Sequence, residues 1–196
     1  MRRAEGPAPP PFRPHVLGLD DGPFDKRRDA TTPIVAVMTE GADLVEGVAV
    51  TRFPIDGDGA TEFLATWIAG LRLAPALHAV VLGGLTVAGL GVLDLTELSA
   101  RLGVPAMAVH RRPPRDEPLL AALQAAGLAR RIPLIERAPP AWALEPGVFV
   151  TLAGTSRDEA ERILRAARGK SRLPEPLRLA HMIGAALVAG QSRGRV

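Results

Sequence analysis

Cysteine and tyrosine are both missing from this chain of 196 residues. The lack of cysteine excludes disulfides, iron–sulfur clusters, thiolate zinc sites and a cysteine nucleophile. Lysine is nearly missing as well. Lys26 and Lys170 are the only two, so basic charge rests on arginine. No apolar run reaches the roughly 18 residues that span a bilayer. The chain starts Met1-Arg2-Arg3 and continues "AEGPAPPPFRP". That stretch is proline-rich where a signal peptide needs an apolar core. The expectation is a soluble, cytoplasmic protein without a membrane partner.

What remains is ordinary for a globular protein: 47% hydrophobic and 23% charged residues. The length suits one domain with a full core. The net charge of +3 is small. The sequence pI near 10.4 reflects how high arginine titrates, so charge alone does not assign a nucleic-acid partner.

Residues 1–13 are rich in proline and charge and carry no periodicity, which predicts a disordered tail before a domain over 14–196. "HVLGLD" reads as a first strand. "TPIVAVMT" (32–39) and "LVEGVAVTRF" (44–53) read as two more, joined by a glycine-containing turn. A helix follows, with Asp58 as its expected N-cap and Phe63, Leu64, Trp67, Ile68 and Leu71 at helical spacing. "LHAVVLGGL" (77–85) and "VPAMAV" (104–109) lack polar alternation, as strands buried on both faces do. Between them, Asp94 and Glu97 make a capping box for a helix ended by Gly103. Residues 117–127 predict another helix. "RRIPLIERA" (130–138) and "GVFVTLAG" (147–154) read as late strands or extended segments. Ser156 and Glu159 open a helix over 156–168. The last helix, 173–190, starts near Pro176 and ends at Gly190. This order predicts an α/β fold: one mixed sheet flanked by helices.

Acidic residues stand at the ends of two of these strands. Asp20 and Asp21 end the first; Asp56 and Asp58 follow the third. Carboxylates gathered at strand ends can hold Mg²⁺ together with waters and a substrate phosphate. Equally, "DGDG" is common turn chemistry. "VVLGGLTVAGLG" is glycine-rich but has neither G-x-G-x-x-G nor Gly-Lys-Ser/Thr, which disfavours those nucleotide sites. His110, Arg111, Arg112 and Arg115 follow a buried strand. They make either a solvated basic loop or a phosphate-binding one. His181 shares a helix face with Arg178 and Leu177. It suits a packed histidine as readily as a site residue.

"LPEPLRLAH" (173–181) resembles the Leu-Pro-Glu-Pro-Thr-Arg-x-Ala-His/Asp signature near the end of endonuclease V. Taken in order, "GLDDGPF", "VEGVAVTRFPIDGDGAT", "VLGGLTVAGLGVLDL", "GVPAMAVHRRPP" and the last motif resemble a closer group. This is an uncharacterised endonuclease V-like family, domain-of-unknown-function family ninety-nine. The likeness runs from about His15 to Val196. It implies a ribonuclease H-like fold, with three antiparallel strands and then parallel ones. It also implies Mg²⁺-dependent cleavage of DNA or RNA near deaminated bases such as inosine.

Carried over by motif, Asp20 matches the metal-binding aspartate of the first strand. Asp56 stands where endonuclease V has a glutamate before glycine and is the second expected metal ligand. Arg111 falls roughly where that enzyme has a lysine, and His181 matches the histidine or aspartate of the last helix. Two departures stand out. Gly83 replaces the aspartate of Val-Asp-Gly, removing a carboxylate from a metal-assisted hydrolytic site. The Pro-Tyr-Ile-Pro wedge motif is missing. Two functions follow: an endonuclease V-like nuclease with weak or altered Mg²⁺ use, or a nucleic-acid-binding module that keeps the fold without the chemistry. A different small-ligand site in the same crevice also stays open.

Overall fold

The structure, a computed structural model, describes residues 11–114 and 116–192. Most of the expected tail and Arg115 therefore lie outside the described residues. Phe12 and Arg13, which composition groups with the tail, are held on the domain. The Arg162 guanidinium lies 3.7 Å from the centre of the Phe12 ring, and Arg13 Nε donates to Glu40 Oε1 at 2.9 Å.

Strand β1 (His15–Asp21) is buried from Val16 to Leu19 and opens to solvent at its two aspartates. It pairs antiparallel with β2 (Thr31–Glu40), which pairs antiparallel with β3 (Leu44–Pro54). This is the expected meander. On its other side β1 runs parallel to β4 (Ala79–Leu82), and β4 runs parallel to β7 (Ala106–His110). A small hairpin of β5 (Thr86–Val87) and β6 (Gly91–Val92) rises between them. Strand β9 (Val148–Ala153) is antiparallel to β7, and β8 (Trp142–Glu145) closes the edge. The order across the seven-stranded mixed sheet is β3-β2-β1-β4-β7-β9-β8.

Alternation along the strands supplies two cores. Leu17, Leu19, Val80 and Leu82 face one side, with Leu64 and Ile68 of α1 (Ala60–Ala69) and Leu98 of α2 (Leu95–Leu102). Val16, Val81, Met107 and Val109 face the other, with Ile163 of α5 (Arg157–Ala166) and Leu177 of α6 (Glu175–Ala189). The fully buried β4 is central, as its unbroken apolar run predicts. Helix α3 (Asp116–Ala125) follows β7.

Two capping residues act as expected. Asp94 Oδ1 accepts the Glu97 N–H at 3.0 Å, and Ser156 Oγ accepts the Glu159 N–H at 3.3 Å. Gly103 closes α2 with φ +68. Two local expectations are corrected. The N-cap of α1 is Gly59, with φ +69, and the Asp58 side chain makes no capping bond. Asp58 is drawn away to Arg130 and Arg131. "RRIPLIERA" is not extended: it forms a 3₁₀ turn and then α4 (Ile132–Glu136). Pro133 lies in the first turn of α4, where a missing N–H costs nothing, whereas in a strand it would break the ladder. The edge position goes instead to Trp142–Glu145, which sequence periodicity misses.

Gly18 decides where α6 sits. A Cβ there would overlap the backbone of Pro176 and Leu177. Its absence lets the start of α6 rest directly on β1. One turn further along, His181 is carried to the end of that strand.

Candidate functional site

Parallel pairing brings the ends of β1 and β4 level, with Leu19 opposite Leu82. Asp20 therefore stands beside Gly83: a Cβ on Gly83 would lie 3.2 Å from Asp20 Oδ1. The end of β7 adds His110 and Arg111, and α6 adds His181. Asp20, Gly83, His110, Arg111, Arg112 and His181 line one cleft of about 650 Å³. A second cleft of about 550 Å³ adjoins it, with Pro23, Phe24 and Ala185 in its walls. Asp20 and His181 border both.

These two residues form the polar pair at the centre. His181 Nδ1 donates to Asp20 Oδ2 at 2.7 Å, while Asp20 Oδ1 accepts the Asp21 N–H at 3.1 Å. The pairing fixes the ring and leaves Nε2 as its outward nitrogen. The bond to Asp20 raises the His181 pKa above its ordinary value, against a smaller opposing effect of burial. His181 is 64% exposed, so its proton is open to a ligand. His110 behaves oppositely: burial lowers its pKa, and its ring Nε2 lies 3.4 Å from Thr151 Oγ1. One side of the cleft is thus a neutral histidine with two arginines, and the other is a chargeable histidine.

Asp21 has a role that no sequence pattern assigns. Its Oδ2 accepts the Ala88 N–H at 3.0 Å in the turn of the β5–β6 hairpin. Burial, and then the Asp20 charge, push its pKa up to about 6. Asp56 grips the same turn from the other side. Its N–H donates to Ala88 O at 2.8 Å, and its Oδ1 accepts the Leu90 N–H at 2.8 Å. Lys26 Nζ closes on the same carboxylate, 2.7 Å from Oδ2. Asp56 holds φ +54, which the surrounding bonds enforce.

Arg131, with 5% of its side chain exposed, ties these loops together. It donates to Leu90 O at 2.6 Å, to Asp56 O at 2.8 Å and to Asp58 Oδ1 at 2.6 Å. The two arginines hold the Asp58 carboxyl below the usual carboxylate range. No local pattern marks Lys26 or Arg131 as partners of residues 56–58. They lie 30 and 75 residues from Asp56 in the chain.

Of the residues selected from sequence, Asp20, Arg111 and His181 are brought to one cleft. Asp56 is held apart: its carboxylate is engaged by Lys26 and Leu90, and it is not among the residues lining either cleft. Mg²⁺ takes one or two carboxylates, waters and substrate phosphate. Here Asp20 offers one carboxylate already bonded to His181, Gly83 offers none, and Asp56 is committed elsewhere. These donors do not make a preformed two-carboxylate Mg²⁺ site. Among the described residues, the three-membered His/carboxylate group with its ligand atoms within 4.8 Å of one another is His15, Glu40 and Glu46. It lies at the opposite end of β1.

Among the described residues, no helix is long and apolar enough to cross a membrane. The family model described as Endonuclease dU matches residues 13–188. A UPF0215 protein of Methanothermobacter thermautotrophicus is 36% identical over 183 residues, covering 91% of this chain and 90% of its own. A protein of unknown function from Archaeoglobus fulgidus has a crystal structure similar to this one. The TM-score is 0.79 at 28% identity, over 88% of this chain and 97% of that one. Endonuclease V of Ciona intestinalis, solved with a 24mer DNA containing an inosine followed by a ribo-adenosine, has a TM-score of 0.56 at 13% identity. The match covers 86% of this chain and 82% of that one. The fold is that of endonuclease V, a ribonuclease H-like fold, as the sequence motifs imply.

Proposed function

Because the chain belongs to the endonuclease dU family, we propose that it binds a nucleic-acid strand across the Asp20–His181 cleft and cleaves the backbone there. The observation that carries this reading is the 2.7 Å Asp20–His181 pair facing His110, Arg111 and Arg112 across one cleft. Arg111 and Arg112 supply forked donors for phosphate oxygens. As a water attacks the phosphorus, losing its proton to solvent, and the P–O bond to the departing oxygen breaks, His181, held by Asp20 and kept protonated to higher pH, donates its Nε2 proton to that oxygen. Asp20 is the orienting group and the carboxylate left in this cleft for a divalent ion. Asp56 would join it only by releasing Lys26. The substrate class is DNA or RNA carrying a deaminated base. The family's description puts deoxyuridine first, and the DNA of the Ciona complex puts inosine second.

A second reading, a binding module without cleavage, is favoured by one specific feature. Gly83 leaves Asp20 without a neighbouring carboxylate, and Lys26 neutralises Asp56. One experiment separates the two. Labelled single-stranded DNA and RNA containing deoxyuridine or uridine, inosine or neither is offered to the parent protein, Asp20→Asn and Arg111→Ala, with Mg²⁺ and Mn²⁺. Cleavage by the parent that both variants lose supports the nuclease. Salt-sensitive binding without cleavage supports the module. No binding at low salt overturns both readings.

A further inference from the structure

The far end of β1 carries a second cluster, independent of the cleft just described. His15 begins β1 and stands opposite Glu40, which ends β2. The β2–β3 register is regular up to Met38–Gly47 and then shifts, so that Thr39 faces Val45 and Glu46 is the unmatched residue. That bulge matters. With regular alternation Glu46 would share a face with Val48 and point away from Gly47. As the extra residue of the bulge it lies two residues on from Leu44, the partner of Glu40, so alternation turns it to the face of Glu40, where its Oε2 lies 3.3 Å from His15 Nε2. This is also the face of His15, which stands opposite Glu40. A bulge that re-aims one side chain is a recognised device at sheet ends. Here it brings one imidazole and two carboxylates from three adjacent strands together.

The surroundings leave these donors under-used. His15 Nε2 lies 3.3 Å from Glu46 Oε2, a long contact. Its Nδ1 is buried with no hydrogen-bond partner. Nε2 is therefore the nitrogen available to a ligand. Arg13 holds Glu40 through Oε1 at 2.9 Å and Asp43 at 2.7 Å, leaving Glu40 Oε2 free of it. An arginine bonded to a ligating carboxylate is a fitting outer partner, because it fixes the carboxylate's orientation. His15, Glu40 and Glu46 keep 26%, 31% and 26% of their side chains exposed, so an ion can reach them.

From this arrangement we propose that His15, Glu40 and Glu46 form a binding site for one divalent first-row transition metal, of which Zn²⁺ is the natural probe. One imidazole nitrogen with two carboxylate oxygens is a donor set that suits Zn²⁺ or Co²⁺ better than the all-oxygen preference of Mg²⁺. The ion clamps the start of β1 to β2 and β3, far from the cleft, and takes no part in the chemistry there.

The test uses the full chain stripped with a chelator and titrated with Co²⁺ or Zn²⁺. One equivalent should bind to the parent and equally to Asp20→Ala. His15→Gln and Glu46→Gln should each weaken binding by more than about 10-fold. Far-UV circular dichroism of the metal-free variants checks that they fold. The parent carries its own readout, because the first equivalent of Zn²⁺ should shift the His15 ring nitrogen resonances before those of His181. The proposal is overturned by no bound equivalent, by unchanged affinity in folded His15→Gln and Glu46→Gln, by loss of binding in Asp20→Ala, or by unshifted His15 resonances.

Discussion

Asp20 and Asp21 are neighbours with opposite tasks, and strand geometry is the reason: successive side chains point to opposite faces. Asp20 turns to α6 and meets His181, while Asp21 turns to the hairpin turn and is half-buried against Ala88. Its elevated pKa has a definite sign for stability. In the unfolded chain Asp21 loses its proton near 3.8, but in the folded protein only near 6. Between those values the folded state binds more protons, so stability falls as pH rises, and the cost is complete above about pH 6. A shift of this size corresponds to about 3 kcal/mol at most. Asp21→Asn keeps an acceptor for the Ala88 N–H and removes the charge. Thermal melts of the metal-free protein should show it more stable than the parent at pH 7 and equal to it near pH 3.5. Equal melting points at pH 7 would contradict this account of Asp21. The adjacent Gly83 gives a second test. Gly83→Asp sets a carboxylate beside Asp20, where two like charges repel unless a cation joins them. The variant should melt below the parent in chelator and gain a Mg²⁺-dependent rise in melting temperature that the parent lacks.

At the level of elements, β1, β2, β3, β4 and β7 are legible in sequence because each carries a strong apolar period or run. The capping boxes mark α2 and α5 for the same local reason. The failures share a cause as well: distant partners outvote local pattern. Asp58 has a cap's chemistry, but Arg130 and Arg131, about seventy residues away in the chain, hold it by charge. Residues 130–138 look apolar enough for a strand, yet Pro133 fits a first helical turn and the sheet edge is already filled. Motif resemblance brings Asp20, Arg111 and His181 forward together, and they share a cleft. The separation of Asp56 is not legible, since it depends on Lys26 and on a hairpin whose strands are two residues each. The seating of α6 on β1 is the element contact that matters most. Gly18→Ala drives a methyl group into the α6 backbone, so it should cost about 1–3 kcal/mol by denaturant unfolding. It should also weaken nucleic-acid binding by moving His181. Unchanged stability in the Gly18→Ala protein would refute the close approach. Arg131→Ala should loosen the β5–β6 turn, read as faster amide exchange at Ala88 and Leu90, with smaller effects on β1.

Across the whole molecule, β1 works as an axle with a different chemistry at each end. Its C-terminal end meets β4, β7 and α6 in a cleft of one carboxylate, two histidines and two arginines. Its N-terminal end meets β2 and β3 in a His/Glu/Glu cluster. A net charge of +3 spread over the chain is too small to bind nucleic acid without a local concentration of cations. On the proposed function, Arg111, Arg112 and His181, which line one cleft, would supply that concentration. Replacing Arg111 by alanine should therefore weaken binding of any strand sequence and lower the salt slope by roughly one. On the proposed function, the Asp20–His181 cleft acts on nucleic acid. Its most direct test is incubation of single-stranded DNA carrying one deoxyuridine with the parent protein and with His181→Gln, at low salt with Mn²⁺. The parent should cleave at or beside the deoxyuridine, and His181→Gln should lose cleavage and bind more weakly. Equal cleavage and equal affinity in the two proteins would contradict it.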